Sequence, residues 1–234
     1  MKKKFVFKRI AKDINLVKEN NLEKQHIYIN WNPDNLLNIK TMIIGNNFTP
    51  YSSGFFLFNI VFTEKYPFKP PKIEFMTQYK NIRFHPNLYP NGKVCLSLLN
   101  TWYGQKWSPS NNLVSILLIL KTLFTEYPLE YEPGYFLKKK SKISIQYNQL
   151  LEYYCYKGGL IYLYKNLSKD FTIFKNIIRN RIVHNYTYYK QDIENKIKVL
   201  GNSKINFCLY KNMSTTLHYN GIYKEFNNLI NIIK

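Results

Sequence analysis

Four short strand-like runs, at residues 27–32, 38–44, 55–62 and 72–76, constrain this chain more than any other feature. The breaks between them are turn-rich: Asn32-Pro33-Asp34-Asn35, the stretch 45–54, and 66–71 with its Pro-Phe-Lys-Pro-Pro core. Prolines at 67, 70 and 71 exclude that last break from a central strand, so it reads as a stiff extended loop holding Phe68 near the surface. Before the strands, residues 4–20 carry Phe7, Ile10, Ile14 and Val17 at helical spacing. After them, Ser110 or Asn111 can cap a helix running to about Tyr127, apolar on most of its face and so central and buried. Residues 144–166, with a break at Gly158-Gly159, then 170–198 and 223–233, are helical in pattern. Helix, four-stranded meander, irregular stretch and helices make an α+β fold with an antiparallel sheet.

The irregular stretch holds the chemistry. Asn91-Gly92 is a turn signal, after which Lys93, Val94 and Cys95 read as extended. His85-Pro86-Asn87 stands ten residues upstream, and Pro86 biases His85 away from helix. Cys95 is either a small buried hydrophobe or a nucleophile, which needs partial exposure and nearby donors or positive charge. Asn87 could donate to an oxyanion formed at the sulfur's acyl group. His85 reads as a general base or as a structural histidine bonded to loop backbone.

Composition narrows the setting. The 234 residues are 45% hydrophobic and 17% aromatic, enough for a sizeable core. Three cysteines without paired spacing argue for a reducing compartment; Cys155 and Cys208 sit in apolar surroundings and read as packing residues. The four histidines are scattered, with no metal-ligand cluster. Met1-Lys2-Lys3-Lys4 is basic without an apolar stretch behind it, so no signal peptide is expected. The apolar run 113–120 is too short to cross a membrane. A net charge of +20 would suit a nucleic-acid partner, but only Arg9, Arg83, Arg179 and Arg181 among the basic residues are arginine. Abundant Lys, Asn, Ile, Tyr and Phe instead suggest coding from an A/T-rich genome. The densest basic patch, Lys138–Lys140 with Lys142, reads as a solvated loop.

In order along the chain, these segments resemble the catalytic core of the ubiquitin-conjugating enzymes. The resemblance rests on Lys8-Arg9-Ile10 with Lys12, Thr49-Pro50-Tyr51, Gly54-Phe55-Phe56, Tyr66 to Lys72, His85-Pro86-Asn87, Gly92 to Leu96, and Trp107-Ser108-Pro109, and covers about residues 5–165. Asn100-Thr101-Trp102, Thr125 to Pro128 and Glu132-Pro133-Gly134-Tyr135 resemble one class within it. That class includes the human conjugating enzyme Z and the conjugating domains of enzyme O and BRUCE, and has extra C-terminal helices. The implied organisation is a catalytic core at 1–165 and a C-terminal helical extension at 166–234. The resemblance fades after about 198, and no function is assigned to 199–234.

The resemblance implies that Cys95 accepts ubiquitin, or a ubiquitin-like modifier, as a thioester from an activating enzyme. It would pass it to a protein substrate's lysine or to a ligase. Asn87 would support the active-site loop or the oxyanion, and His85 would be structural. An acidic residue after the buried helix would serve the acceptor lysine: Glu130 or Glu132, with Glu132 favoured by alignment on Pro133. Trp107 reads as core. Lys8, Arg9 and Lys12 would meet the activating enzyme, and Phe68, Ser108 and Pro109 a RING-type ligase. The chain would need no cofactor, ATP being consumed upstream by the activating enzyme, and would act in the cytoplasm or nucleus without membrane contact. The rival readings are a non-catalytic ubiquitin- or ligase-binding protein of the same fold, and a basic nucleic-acid-binding protein.

Overall fold

The computed structural model describes residues 2–233; Met1, and with it the start of the basic N-terminal run, lies outside the described residues. Helix α1 (Lys2–Glu19) leads into strands β1 (Ile27–Asn32), β2 (Asn35–Ile44), β3 (Phe55–Val61) and β4 (Lys72–Phe75). They pair in the order β1-β2-β3-β4, each antiparallel to the next, as the turn-rich breaks predict. The stripe that α1 buries is Val6, Ile10, Ile14 and Val17, with Val6 3% exposed and Phe7 38%. Phe7 therefore lies at the rim of the buried face: at about 100° per residue Val6, Ile10 and Val17 fall within about 40° of one another, and Phe7 stands about 60–100° away from them.

Strand alternation puts Ile39, Thr41, Ile43, Phe56, Phe58 and Ile60 on the inner sheet face. There Phe56 stacks on Phe124 at 4.2 Å and meets Phe84 edge-on at 6.0 Å. An antiparallel sheet commonly leaves its other face to solvent. Here Met42, Ile44, Phe55 and Leu57 point outward and are still buried, because the C-terminal half of the chain roofs them.

Helix α2 (Leu113–Thr122) is the central buried helix. Its cap is Asn112, whose side chain accepts the Ser115 N–H at 3.0 Å, rather than Ser110 or Asn111. Asn111 is otherwise engaged: its side chain accepts the Ser108 N–H at 2.8 Å and its carbonyl accepts from Arg9 at 2.6 Å. The helix stops five residues short of Tyr127. Beyond it the chain tightens, with Thr125 N–H on the Leu123 carbonyl and Asn46 holding the Phe124 carbonyl at 2.8 Å.

Helix α3 (Lys142–Tyr154) continues without a break through a π-helical segment, Cys155–Tyr162, into the short α4 (Leu163–Lys165). The expected break at Gly158-Gly159 does not occur. Both glycines serve close approach instead: a Cβ on Gly158 would lie 2.7 Å from Tyr79 Cβ, and one on Gly159 would lie 3.4 Å from Gly54 Cα. The helical pattern over 170–198 resolves into a 3₁₀ segment, Lys169–Phe174, then α5 (Lys175–His184) and α6 (Tyr186–Leu200), bent at Asn185. The 3₁₀ segment seals the roof over β2: Asp170 pairs with Lys40 at 2.9 Å, and the Lys40 ammonium sits 5.4 Å from the Phe171 ring centre.

A two-stranded ribbon, β5 (Lys204–Ile205) with β6 (Thr215–Thr216), and helix α7 (Tyr219–Ile233) complete the described chain. Helix α7 buries Ile222, Phe226, Leu229 and Ile233 on one face and starts four residues before the expected 223. Cys155 is buried as expected, but Cys208 is exposed, in the loop between β5 and β6 beside buried Phe207. Among the described residues no helix is long and apolar enough to cross a membrane.

The glycines give a paired test. Gly158→Ala should cost about 1–3 kcal/mol, the usual range for overpacking, because its Cβ meets Tyr79. Gly221→Ala, on α7 with nothing within 4 Å of a new Cβ, should add about 0.4–1 kcal/mol. Urea unfolding of both variants checks the opposite signs.

Candidate active site

The His85–Cys95 segment is a backbone clasp. The Cys95 N–H donates to the Asn87 carbonyl at 2.9 Å, and Asn87 Nδ2 donates back to the Cys95 carbonyl at 2.6 Å. The turn closes where the Gly92 N–H bonds the Tyr89 carbonyl at 2.9 Å, with Gly92 at φ 88°. On the far side Thr101 Oγ1 accepts the Leu96 N–H at 2.9 Å and lies 3.0 Å from the Val94 carbonyl. Cys95 is thus gripped from both directions.

Asn87 carries two N–H groups; one is engaged with Cys95, which leaves the other for an oxyanion. Its Oδ1 is buried without a partner among the described residues. Cys95 is 1% exposed, short of the partial exposure that a nucleophile needs. A reacting carbonyl can reach the sulfur only if neighbouring residues shift.

His85 is wholly buried. Its Nδ1 accepts the Asn87 N–H at 2.9 Å, which places the proton of the neutral ring on Nε2. Nε2 has no hydrogen-bond partner among the described residues, and the ring lies edge-on to Tyr131 at 4.8 Å. Burial, with a lesser push from Arg83, lowers its pKa to about 3. Such an imidazole stays neutral and holds the Asn87 N–H.

Arg83 is a brace that sequence reasoning missed. Its guanidinium sits 3.4 Å from the Tyr89 ring centre, and Nε reaches the carbonyls of His85 and Pro86 at 3.3 and 3.2 Å. The Arg83 carbonyl accepts from Tyr147 Oη at 2.9 Å. Its one visible signal was an arginine, rare in this chain, two residues before His85.

The two acidic candidates have different surroundings. Glu130 pairs with Lys139 at 3.6 Å. Glu132 accepts a short hydrogen bond from Tyr210 Oη on Oε2. Tyr131, between them, contacts His85 and ties this loop to the cysteine loop.

The expected partner surface lies at the α1 end. Phe68 is 70% exposed, Pro109 and Lys8 and Lys12 are exposed, and Ser108 is half-buried. Phe5, which the sequence did not single out, stacks on Phe68 at 6.2 Å and lines with it a groove of about 520 Å³. Arg9 differs from its neighbours: it is engaged inside the molecule with Asp13 at 2.9 Å and the carbonyls of Pro109 and Asn111 at 2.9 and 2.6 Å. Trp107 is core, its Nε1 donating to the Pro67 carbonyl at 2.6 Å. Among the described residues no cluster of His, Cys, Asp or Glu could hold a metal ion.

Two tests follow from burial. His85 has a folded pKa of about 3 and an ordinary value of 6.5, so below pH 6.5 the unfolded chain takes up a proton that the folded one refuses. Its contribution is therefore complete above pH 6.5 and is lost as pH falls toward 3. Between pH 7 and pH 5 it should remove about 2 kcal/mol of stability; urea midpoints at the two pH values, compared with His85→Asn, measure it. Alkylation followed by mass spectrometry should label exposed Cys208 first and Cys95 more slowly. Cys155, buried and with its pKa pushed well up by desolvation, should react only on unfolding.

Known proteins are similar in sequence over this segment. The pattern of the family described as ubiquitin-conjugating enzyme matches residues 9–146. Ubiquitin-conjugating enzyme E2 Z of Xenopus tropicalis is 32% identical over 170 residues, covering 72% of this chain and 54% of the relative. The human E2 Z is 42% identical over 116 residues, 49% of this chain and 33% of its own length. Human BIRC6, a dual E2 ubiquitin-conjugating enzyme/E3 ubiquitin-protein ligase, is 37% identical over 115 residues, 47% of this chain and 2% of its own. The chain thus spans about half the length, or less, of these relatives.

Proposed function

The chain belongs to the ubiquitin-conjugating enzyme family, and we propose that it carries ubiquitin or a ubiquitin-like modifier as a thioester on Cys95. The observation that carries this reading is the reciprocal pair of hydrogen bonds between Asn87 and Cys95, which holds an amide donor on the backbone of the cysteine.

Charging is a thioester exchange. The Cys95 thiolate attacks the carbonyl of the modifier's terminal glycine on the activating enzyme; a new C–S bond forms, the old one breaks, and its electron pair leaves on the activating enzyme's sulfur. No ATP is needed on this chain, since the activating enzyme has already used it.

Discharge to a lysine forms an N–C bond and breaks the Cys95 C–S bond; the sulfur leaves as thiolate and the attacking nitrogen gives up its remaining extra proton to solvent. The acceptor ammonium, with an ordinary pKa of about 10.4, must first lose a proton. Glu132, on the loop that Tyr131 joins to His85, would orient that ammonium. Asn87 would donate its second N–H to the tetrahedral oxyanion. A ligase cysteine would replace the lysine in the alternative transfer.

Lys8 and Lys12, on the exposed side of α1, suit the activating enzyme, with Arg9 bracing the surface from within. Phe68 with Ser108 and Pro109 suits a RING-type ligase; an exposed aromatic on a rigid loop is the usual anchor of an interface. The nucleic-acid reading loses support because Arg9, Arg83 and Arg179 are all hydrogen-bonded within the molecule. We place the activity in the cytoplasm or nucleus, where the three cysteines stay free.

A charging assay tests the reading: protein, activating enzyme, ATP and modifier, separated on non-reducing gels. A reducible adduct should form and should vanish in Cys95→Ala. Asn87→Ala should discharge about a hundredfold more slowly, the usual loss for one oxyanion donor. Failure to form an adduct with ubiquitin and with every ubiquitin-like modifier would sink the proposal.

A further inference from the structure

The family match ends at residue 146, yet a residue well beyond it reaches the active-site loops. Between β5 and β6 the chain makes an excursion that carries Phe207 and Tyr210 back to α3. The Phe207 ring stacks on Tyr147 at 5.5 Å, nearly parallel, and Tyr210 meets Tyr147 edge-on at 5.7 Å. The Ser214 hydroxyl accepts the Phe207 N–H at 2.8 Å and closes the excursion. Tyr210 is therefore anchored on a helix of the core, not on a free tail.

From that anchor Tyr210 makes two contacts. Its hydroxyl donates to Glu132 Oε2, and its ring lies 5.3 Å from the Arg83 guanidinium, whose other partners are the carbonyls of His85 and Pro86. We propose that Tyr210 is a positioning residue for the acceptor step: it fixes the Glu132 carboxylate by Oε2 so that Oε1 faces the incoming lysine. The inference rests on the reading that Glu132 serves that lysine.

The physical need is plain. Glu132 precedes Pro133 and Gly134, and Gly134 has φ 82° and open space around it. A glutamate on such a loop has rotamer freedom that would have to be lost each time an ammonium is bound. A carboxylate accepts at two oxygens, so a donor on one leaves the other available. Among the described residues Oε1 has no hydrogen-bond partner. Burial, and then the bond to Glu132, raise the Tyr210 pKa, which keeps the phenol protonated and a donor at any working pH.

The test uses the full chain carrying ubiquitin on Cys95, with free lysine at rising concentration as the acceptor. Tyr210→Phe keeps the ring against Arg83, Tyr147 and Phe207 and removes only the donor. The expected result is an unchanged charging rate and an unchanged maximal discharge rate, with a half-saturating lysine concentration about tenfold higher, the scale of one hydrogen bond to a charged group. Because the two residues act as a unit, adding Tyr210→Phe to Glu132→Gln should cost nothing further. Discharge by Tyr210→Phe with a half-saturating lysine concentration at or below the wild-type value, while Glu132→Gln is slow, would overturn the inference and leave the role of Glu132 standing. Equal losses in charging, discharge and thermal midpoint would also overturn it, by making Tyr210 merely structural. Wild-type discharge by Glu132→Gln would remove the role of Glu132 itself, and the inference with it.

Discussion

A single buried carboxylate, Asp13, ties together the end of the molecule on which its partner surface is built. It accepts from Arg9 Nε at 2.9 Å, from the Tyr66 hydroxyl, and from the Leu113 backbone N–H at 3.2 Å. A charge removed from water is tenable only when it is paired and hydrogen-bonded, so α1, the proline-rich loop and the start of α2 are obliged to meet there. Arg9 then spans to the carbonyls of Pro109 and Asn111. The separation of Phe68, Pro109 and the exposed α1 lysines is therefore a rigid dimension of the core, set by hydrogen bonds of Asp13 and Arg9 in which their side chains take no part. Trp107, bonded to the Pro67 carbonyl, locks the proline loop from the other side.

The reactive end is organised differently. There the binding groups are mostly neutral: backbone amides, an uncharged buried imidazole and a run of tyrosines. Arg83 stands at their junction, its guanidinium close to both the Tyr89 and the Tyr210 rings. Guanidinium planes stack on aromatic faces while their edges donate, so one side chain can hold two ring systems and the His-Pro-Asn carbonyls together. The sulfur is left in a setting shaped by hydrogen bonds to backbone.

What could be read from the sequence was what is local. The sheet order, the position of α1 and the buried character of α2 follow from period and turn chemistry over windows of a few residues. That Asn87 and Cys95 belong together was legible because both sit in one turn-rich stretch; that they clasp each other through the Cys95 backbone was not. Misreadings arose where a local signal had two meanings. Gly158-Gly159 reads equally as a break or as a close approach, and only the presence of Tyr79 and Gly54 decides. Val6 and Phe7 compete for one face of α1, and the helix phase decides. Asn112 caps α2 because Asn111 is bonded elsewhere. The contact between Tyr210 and Glu132 had no local signal, since 78 residues separate the two.

That separation has a consequence for the birth of the protein. A ribosome adds about 5–20 residues per second, so about 4–16 s pass between synthesis of Glu132 and of Tyr210. At the start of that interval the nascent chain already contains His85, Asn87 and Cys95 and the four-stranded sheet, but not the ribbon that reaches the acidic loop or the helices that roof the outer sheet face. Met42, Phe55 and Leu57 remain open to solvent until those helices emerge. Translation thus delivers the sulfur and its clasp well ahead of the residues that frame them, and the site is complete only once Tyr210 has been made.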